Sequence, residues 1–278
     1  KLRNSGFEFD LNVKLIQKKD WYWDMSVNGY TYANKMLNLP DEYKVSGMPN
    51  GNQRIYEGKD IYRWEMRQFA GLDEKGNSLW YMDQDILDDA GNVVGVEKVT
   101  TGDATEATQY LLEKSALPDF TGGLNTTLRW KSLDLTIMTN FQFGGYGYDY
   151  DFSAFSSANF PMNRLKNYAD AWNPETGKGS APIWNTNDSN INASSDRFLI
   201  SKTYFNLRNI TLGYTFPANW MSKIGIKSVR VYFACDNVFF ASKRKGYDPR
   251  TSMGGQGATV ALNSVDGTYY SPIRTTSV

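Results

Sequence analysis

The sequence contains few residues that could carry out acid–base or nucleophilic chemistry. Histidine is absent from its 278 residues, which removes the commonest general base and metal ligand. The single cysteine, Cys235, lies in a strand pattern, where it is interpreted as a small apolar side chain. Carboxylates are abundant, but no spacing pairs two of them for glycoside hydrolysis. The sequence therefore predicts a protein that is not an enzyme, with no catalytic residue and no cofactor.

One acidic run has the residue types of a calcium site. Asp83, Asp85, Asp88 and Asp89 supply oxygen ligands, but an EF-hand loop needs a ligand at its fifth position and glycine at its sixth. Counting from Asp83, those positions hold Leu87 and Asp88, so the pattern fails. A calcium site of another kind remains an alternative. The preferred interpretation is a solvated acidic loop, and no metal site is predicted.

Aromatic residues are the strongest candidates for ligand binding. Aromatic faces suit the apolar faces of sugar rings, and their polar tips can reach hydroxyl groups. Tyr146, Tyr148 and Tyr150 directly follow a predicted strand, and Trp184 lies in the same long connection. We predict these four as substrate-binding residues. The alternative is that the rings pack the loops against one another.

The elements that must position these residues are long strands in which apolar and polar side chains alternate. Residues 5–17 place Phe7, Phe9, Leu11 and Val13 on one face and charged or amide side chains on the other. Strands of about a dozen residues exceed the usual five or six and match the 9–11 that cross a bilayer. Trp21 and Trp23 begin the next apolar face, as in an interfacial aromatic girdle. Seven strands are predicted, at about 5–17, 21–33, 122–130, 133–143, 204–216, 228–240 and 271–278.

The connections between these strands alternate strictly between short and long. Residues 18–20, 131–132 and 217–227 form short turns, whereas 35–121, 144–203 and 241–270 form long loops. Outer-membrane barrels have short periplasmic turns and long extracellular loops. Seven such strands leave two unpaired edges, which lipid does not tolerate. The sequence therefore predicts an all-β fold, namely part of a membrane-spanning antiparallel β-barrel over residues 1–278.

Two segments carry a family resemblance. Residues 207–249, with LRNITLGYTFP, KIGIKSVRVYFACDNVFF and KGYDP, and residues 117–145, LPDFTGGLNTTLRWKSLDLTIMTNFQFGG, resemble the C-terminal end of SusC/RagA-type TonB-linked outer-membrane transporters. The resemblance implies a plugged barrel of about 22 strands, whose plug and N-terminal domains have no counterpart here. At one point the sequence departs from the family, because Arg250 follows Gly246–Pro249 where an acidic residue is usual.

The same resemblance implies a function and partners. The whole protein is expected to lie in the outer membrane, surrounded by its lipid, and to import oligosaccharides or peptides. A SusD-like surface lipoprotein is the expected cap, and TonB, acting through the absent N-terminal part, is the expected energy source. Lysine and arginine balance aspartate and glutamate at thirty each, which argues against a nucleic-acid partner. The alternative is a soluble carbohydrate-binding β-sandwich, which predicts loops of similar length at both ends.

Overall fold

The structure is a computed structural model that describes residues 1–156, 170–184, 188, 190–243, 264–265 and 274–277. Strands dominate these residues, which confirms the predicted all-β fold class. The strands are β1 (Leu2–Gln17), β2 (Trp21–Met36), β3 (Met48–Asn50), β4 (Gln53–Ile55), β5 (Arg63–Arg67), β6 (Phe69–Leu72), β7 (Ser78–Leu87), β8 (Val93–Thr101), β9 (Gln109–Ser115), β10 (Pro118–Trp130), β11 (Leu133–Gly144), β12 (Tyr146–Asp149), β13 (Leu199–Ser201), β14 (Tyr204–Thr215), β15 (Arg230–Ser242), β16 (Ser264–Val265) and β17 (Thr275–Ser277). Two short α-helices are α1 (Tyr150–Phe155) and α2 (Ala218–Met221). Among the described residues, no helix is long and apolar enough to cross a membrane.

One antiparallel sheet of seven strands organises the chain. Its order is β1-β2-β10-β11-β14-β15-β17, so neighbours in the sheet are also neighbours in sequence once the loop strands are left out. The β1–β2 register runs from Leu2 opposite Met36 to Gln17 opposite Tyr22. All seven strands lie in one sheet rather than in two packed sheets, so the structure does not support the β-sandwich alternative.

One face of this sheet is apolar and ends in an aromatic belt at each side. At the end nearest the long loops, five rings form a continuous row with centroids 5.6 to 6.4 Å apart: Phe7, Phe9, Phe120, Phe141 and Phe143. At the other end the rings of Trp21 and Trp130 lie 5.7 Å apart. Between Trp21 and Gly29, which contacts the phenylalanine row, β2 rises roughly 26 Å. At the tilt of outer-membrane barrel strands, about 35–45°, this length covers roughly 20 Å of height, which is most of the apolar band of about 25 Å.

A glycine makes the phenylalanine row possible. A Cβ atom on Gly29 would lie 2.4 Å from Cζ of Phe120 and 3.0 Å from Cε1 of Phe9. The two rings therefore cover the bare backbone of β2, and any larger side chain would displace them.

The opposite face of the sheet is polar and pairs its charges. Nη2 of Arg230 on β15 lies 2.6 Å from Oδ2 of Asp134 on β11, although β14 separates these strands. Gly213 on β14 leaves the space, because its Cβ would lie 2.3 Å from the Arg230 guanidinium. A lumen-facing surface tolerates such paired charges.

The loops contain more regular structure than the sequence analysis predicted. Residues 35–121, predicted as one irregular loop, hold two small sheets, β3-β4-β5-β9 and β6-β7-β8. The alternation of apolar and polar residues does not reveal these strands. Most of them are short, and bulges shift the registers of β5–β9, β6–β7 and β7–β8. The prediction of an acidic loop at residues 83–89 is also wrong in part, since Asp83 and Asp85 belong to β7.

Two other connections differ from a plain loop. Residues 144–203 include β12, α1 and β13, and the predicted turn at 217–227 contains α2 and a 3-10 turn at Ser222–Ile224. The predicted loop 241–270 lies mostly outside the described residues, as do Gly246–Pro249 and Arg250.

Candidate functional site

The two described loop regions pack into one body above the phenylalanine row. Their shared core consists of buried apolar side chains from both regions: Trp64, Met66, Leu112 and Ala116 from the first, and Tyr148 and Phe198 from the second. Nε1 of Trp64 donates to the backbone oxygen of Tyr146 across a distance of 3.2 Å, which ties the two regions together. A shared core of this kind makes the loop body a fixed surface rather than a set of independent loops.

The three predicted tyrosines lie close together but in different environments. Tyr148 is only 3 % exposed, and its hydroxyl pairs with that of Ser153, 3.1 Å away. Burial raises the pKa of Tyr148. The ring of Tyr150 lies edge-on to that of Tyr148, with centroids 4.8 Å apart, and is half-exposed. Tyr146 packs partly against the shared core, with Nζ of Lys114 5.4 Å from the centre of its ring.

The fourth predicted residue, Trp184, lies in a separate segment. Its side chain is 45 % exposed. The preceding residue, Ile183, donates its backbone N–H to the oxygen of Gly76 at 2.8 Å, and Trp172 covers the same glycine. Segment 170–184 is thereby attached to the β6–β7 turn. Tyr150 and Trp184 are the two predicted residues whose side chains are about half-exposed.

A cavity of about 760 Å³ separates the β1–β2 hairpin from the loop body. It forms because β2 continues to Met36, whereas its pairing with β10 stops at Tyr30 opposite Thr121. The cavity walls include the β2 residues beyond Tyr30, the start of β10 and an ion-paired cluster in the loop body. Sequence reasoning missed this cavity, since no strand pattern shows where two neighbouring strands separate.

The ion-paired cluster at the cavity is centred on Arg63. Its guanidinium lies 2.8 Å from Oε1 of Glu113 and 3.6 Å from Oδ2 of Asp60. The bond to Arg63 lowers the pKa of the Glu113 carboxyl. Asp60 also accepts hydrogen bonds from the N–H of Tyr62 and the hydroxyl of Ser115. Two of the carboxylates at the cavity are therefore already neutralised or hydrogen-bonded by the protein.

Lys202 is a second residue that sequence reasoning missed. It directly follows β13, is 6 % exposed, and donates its backbone N–H to the oxygen of Gly145. Burial lowers its pKa to about 8. A lysine is rarely buried to this extent, and no sequence pattern distinguishes it from the solvent-exposed lysines of the chain.

Two of the four residues of the acidic run, Asp83 and Asp88, accept hydrogen bonds within the protein. Asp83 accepts a hydrogen bond from the hydroxyl of Tyr110, and Asp88 accepts from the backbone N–H groups of Ala90 and Asn92. The bonds to Asn92 lower the pKa of Asp88. Across the described ranges, no group of three or more histidine, cysteine or acidic side chains is arranged to hold a metal ion.

Comparisons with known proteins find similar TonB-dependent receptors, by sequence, and similar transporter structures. No family model matches the chain. It is 25 % identical over 270 residues to TonB-dependent receptor P3 of Formosa agariphila, and 27 % identical over 260 residues to TonB-dependent receptor SusC of Bacteroides thetaiotaomicron. These matches cover 90 % and 91 % of the chain. The chain spans about a quarter of the length of these relatives, since it covers 25 % and 24 % of them.

Solved structures agree with the sequence relatives. A structure of the RagAB peptide transporter matches with a TM-score of 0.71 at 26 % identity, covering 89 % of this chain and 27 % of the solved one. A second, of the RagAB peptide importer in its closed-closed state, matches with a TM-score of 0.70 at 26 % identity, with the same coverage. The similar proteins are receptors and transporters, in agreement with the prediction that this chain is not an enzyme. The seven-stranded sheet and these likenesses show that the chain is similar to part of the barrel of SusC/RagA-type TonB-linked outer-membrane proteins.

Proposed function

We propose that the full-length protein containing this chain is a TonB-dependent outer-membrane transporter that imports oligosaccharides or peptides. The observation that carries the proposal is the joint architecture of sheet and loops. An apolar band of membrane height lies between two aromatic belts, and a rigid loop body lies above only one of them. The chain is similar in sequence to TonB-dependent receptors and in structure to a peptide transporter.

In this proposal the loop body forms part of a ligand chamber covered by a SusD-like lipoprotein. Tyr150 and Trp184 contact the ligand with their exposed rings. Tyr148 supports Tyr150 through the edge-on ring contact, and Tyr146 lines the cavity beside the β1–β2 hairpin. TonB supplies energy through parts of the full-length protein that lie outside this chain.

The first experiment purifies the full-length protein from native outer membranes. We expect it to require detergent and to bring with it a surface lipoprotein, together with a retained glycan or peptide that mass spectrometry identifies. Recovery of a soluble protein without detergent, alone, would contradict the proposal.

A second experiment tests the proposed ligand contacts. Tyr150→Ala and Trp184→Ala should each weaken binding of the retained ligand roughly 5- to 150-fold, since stacking on one aromatic ring contributes on the order of 1–3 kcal/mol. Trp220→Ala is the matched control, because Trp220 is at least as exposed but lies in α2 at the opposite end of the sheet. If all three substitutions weaken ligand binding equally, the rings of Tyr150 and Trp184 do not belong to the proposed binding site.

A further inference from the structure

The upper part of β2 has one edge without a partner strand. Pairing with β10 stops at Tyr30, and the first backbone-to-backbone bonds between β2 and the loop body are at Met36, whose N–H donates to Lys59 and whose oxygen accepts from Gly58. In the described part of the chain, the edge between these two points forms no backbone hydrogen bond to another strand. It borders the cavity of about 760 Å³ instead.

The direction of the free backbone groups follows from the bonds on either side. Along a strand in an antiparallel sheet, successive residues direct their N–H and C=O groups to opposite edges. Leu37 donates to Lys1 beside β1, whereas Met36 bonds away from β1. Asn34 and Tyr32 therefore direct their N–H and C=O groups away from β1 as Met36 does, into the gap between β2 and the loop body.

Two side chains add to these backbone groups. Nδ2 of Asn34 is buried and has no hydrogen-bond partner among the described residues, although Oδ1 of the same amide accepts from the N–H of Ile61. Asn34 is 6 % exposed and lines the cavity. On the opposite wall, Asp119 is exposed and forms no ion pair with the described residues. It is the cavity carboxylate that Arg63 leaves unpaired.

We propose that this cavity binds a short peptide in extended form, which adds as a strand to the free edge of β2 at Tyr32 and Asn34. Strand addition satisfies the backbone donors and acceptors of an edge with little dependence on sequence. The peptide's amino-terminal ammonium pairs with Asp119, and one of its carbonyl groups accepts from Nδ2 of Asn34. The volume lies within the range of ligand pockets, about 300–1,000 Å³, and holds three or four extended residues, roughly 10–13 Å long.

This inference rests on the proposed function and narrows it, because an oligosaccharide has no backbone amides to complete a strand edge. It also separates the cavity from the exposed rings of Tyr150 and Trp184, which suit a ligand of either class. A transporter with both surfaces would hold a peptide by its backbone near the wall and by its side chains at the loop body.

The decisive probe is a set of backbone-modified peptides, tested on the full-length protein in detergent. The parent probe is Ala-Thr-Val-Thr-Ala with a free amino terminus and a carboxy-terminal fluorophore, measured by fluorescence anisotropy. Its first four residues occupy the cavity, and the fifth holds the fluorophore outside it. One derivative carries N-methyl groups on its second and fourth residues, and another carries one on its third. Because only alternate N–H groups face the added edge, we expect one derivative to lose roughly tenfold in affinity and the other to bind within about twofold. Equal binding of both derivatives and the parent would overturn the inference.

Variants of the protein test the same contacts from the other side. Tyr32→Pro removes the N–H that faces the cavity without removing a bond to β1, and an edge strand tolerates proline. We expect it to weaken the parent probe severalfold, whereas Tyr32→Phe, which keeps the backbone donor, should leave binding unchanged. Unchanged binding by a folded Tyr32→Pro protein would contradict strand addition.

The role of Asp119 is tested by charge removal on both partners. Asp119→Asn should weaken the parent probe severalfold and leave an amino-acetylated probe unaffected, while Glu74→Gln, a distant exposed carboxylate change, should affect neither. If the wild-type protein imports an oligosaccharide but binds no probe, the edge inference fails and the proposed function stands. If the protein proves soluble without detergent, the proposed function fails, and the N-methyl series still decides whether the edge binds peptide.

Discussion

At the scale of single residues, the loop body depends on a few charged and aromatic contacts that join separate strands. Lys98 on β8 places Nζ 4.3 Å from the ring centre of Tyr81 and 4.4 Å from that of Tyr110, and it donates to Gln68 at 2.6 Å. Tyr110 belongs to the other small sheet and donates to Asp83 on β7. One lysine and one tyrosine thus connect the two small sheets, which makes Tyr110 a sensitive reporter of their contact.

Tyr110 should ionise at an unusually high pH. Burial, followed by its hydrogen bond to Asp83, raises its pKa to about 12. Below the unfolded value of about 10, both states keep the proton and the contribution to stability is complete. Between that value and 12 the unfolded state loses its proton first, so the contribution falls as pH rises and is lost above 12. Subtracting the tyrosinate absorbance of Tyr110→Phe from that of the wild type should give a midpoint near 12. A midpoint near 10 would show that the contact to Asp83 is absent.

Two turns of similar sequence provide a matched test of how the loop segments are attached. In DEKGN and DDAGN, Gly76 and Gly91 have φ angles of 83° and 82°, which are strained for any residue with a Cβ. Only Gly76 is covered, because its Cβ would lie 2.2 Å from Cγ of Trp172, whereas nothing lies within 4 Å at Gly91. Both alanine substitutions should cost on the order of 1 kcal/mol, but Gly76→Ala should also detach segment 170–184. Hydrogen exchange in 170–184 should increase in Gly76→Ala and stay at the wild-type rate in Gly91→Ala.

At the scale of elements, the phenylalanine row should limit substitutions in the strand beneath it. Gly29→Ala forces Phe120 to move from its position over β2, since the added methyl would lie 2.4 Å from Cζ of that ring. We expect a loss of about 1–3 kcal/mol, measured as a lower thermal midpoint of the full-length protein in detergent. Gly95→Ala on β8 is the control, because its nearest contact is an ordinary 3.6 Å to Ile86. Equal midpoints for the two variants would mean that the rings do not pack on β2.

The same elements show what the sequence could predict. Long strands with two distinct faces are visible because alternation extends over a dozen residues and both faces have a constant environment. The loop strands are not, because β5 pairs with β9 across more than forty intervening residues and a bulge interrupts the register at Arg63. The four predicted aromatic residues show how far the sequence pattern can predict a binding site. Their position after β11 followed from the pattern, but the burial of Tyr148 against Phe198 depends on a contact fifty residues away in sequence.

At the scale of the whole molecule, the alternation of short turns and long loops fixes which ends of the strands face the same compartment. Residues 18–20 and 131–132 connect their strands directly, and residues 37–117 and 145–203 carry the loop body at the opposite end. If the short turns face the periplasm, as in outer-membrane barrels, the loop body faces the outside of the cell. The cavity at β2 and the rings of Tyr150 and Trp184 then open toward external ligands.

Cysteine labelling of intact cells tests this orientation directly. In a Cys235→Ser background, which removes the buried native thiol, Asp89→Cys at the tip of the β7–β8 hairpin should react with a membrane-impermeant maleimide on whole cells. Lys19→Cys, in the turn between β1 and β2, should react only after the outer membrane is permeabilised. Both positions are exposed on the protein, so a difference in labelling reports the compartment rather than burial. Labelling of Lys19→Cys on intact cells, with Asp89→Cys protected, would invert the orientation and place the proposed ligand surfaces in the periplasm. Such a result would exclude them from the capture of external substrates.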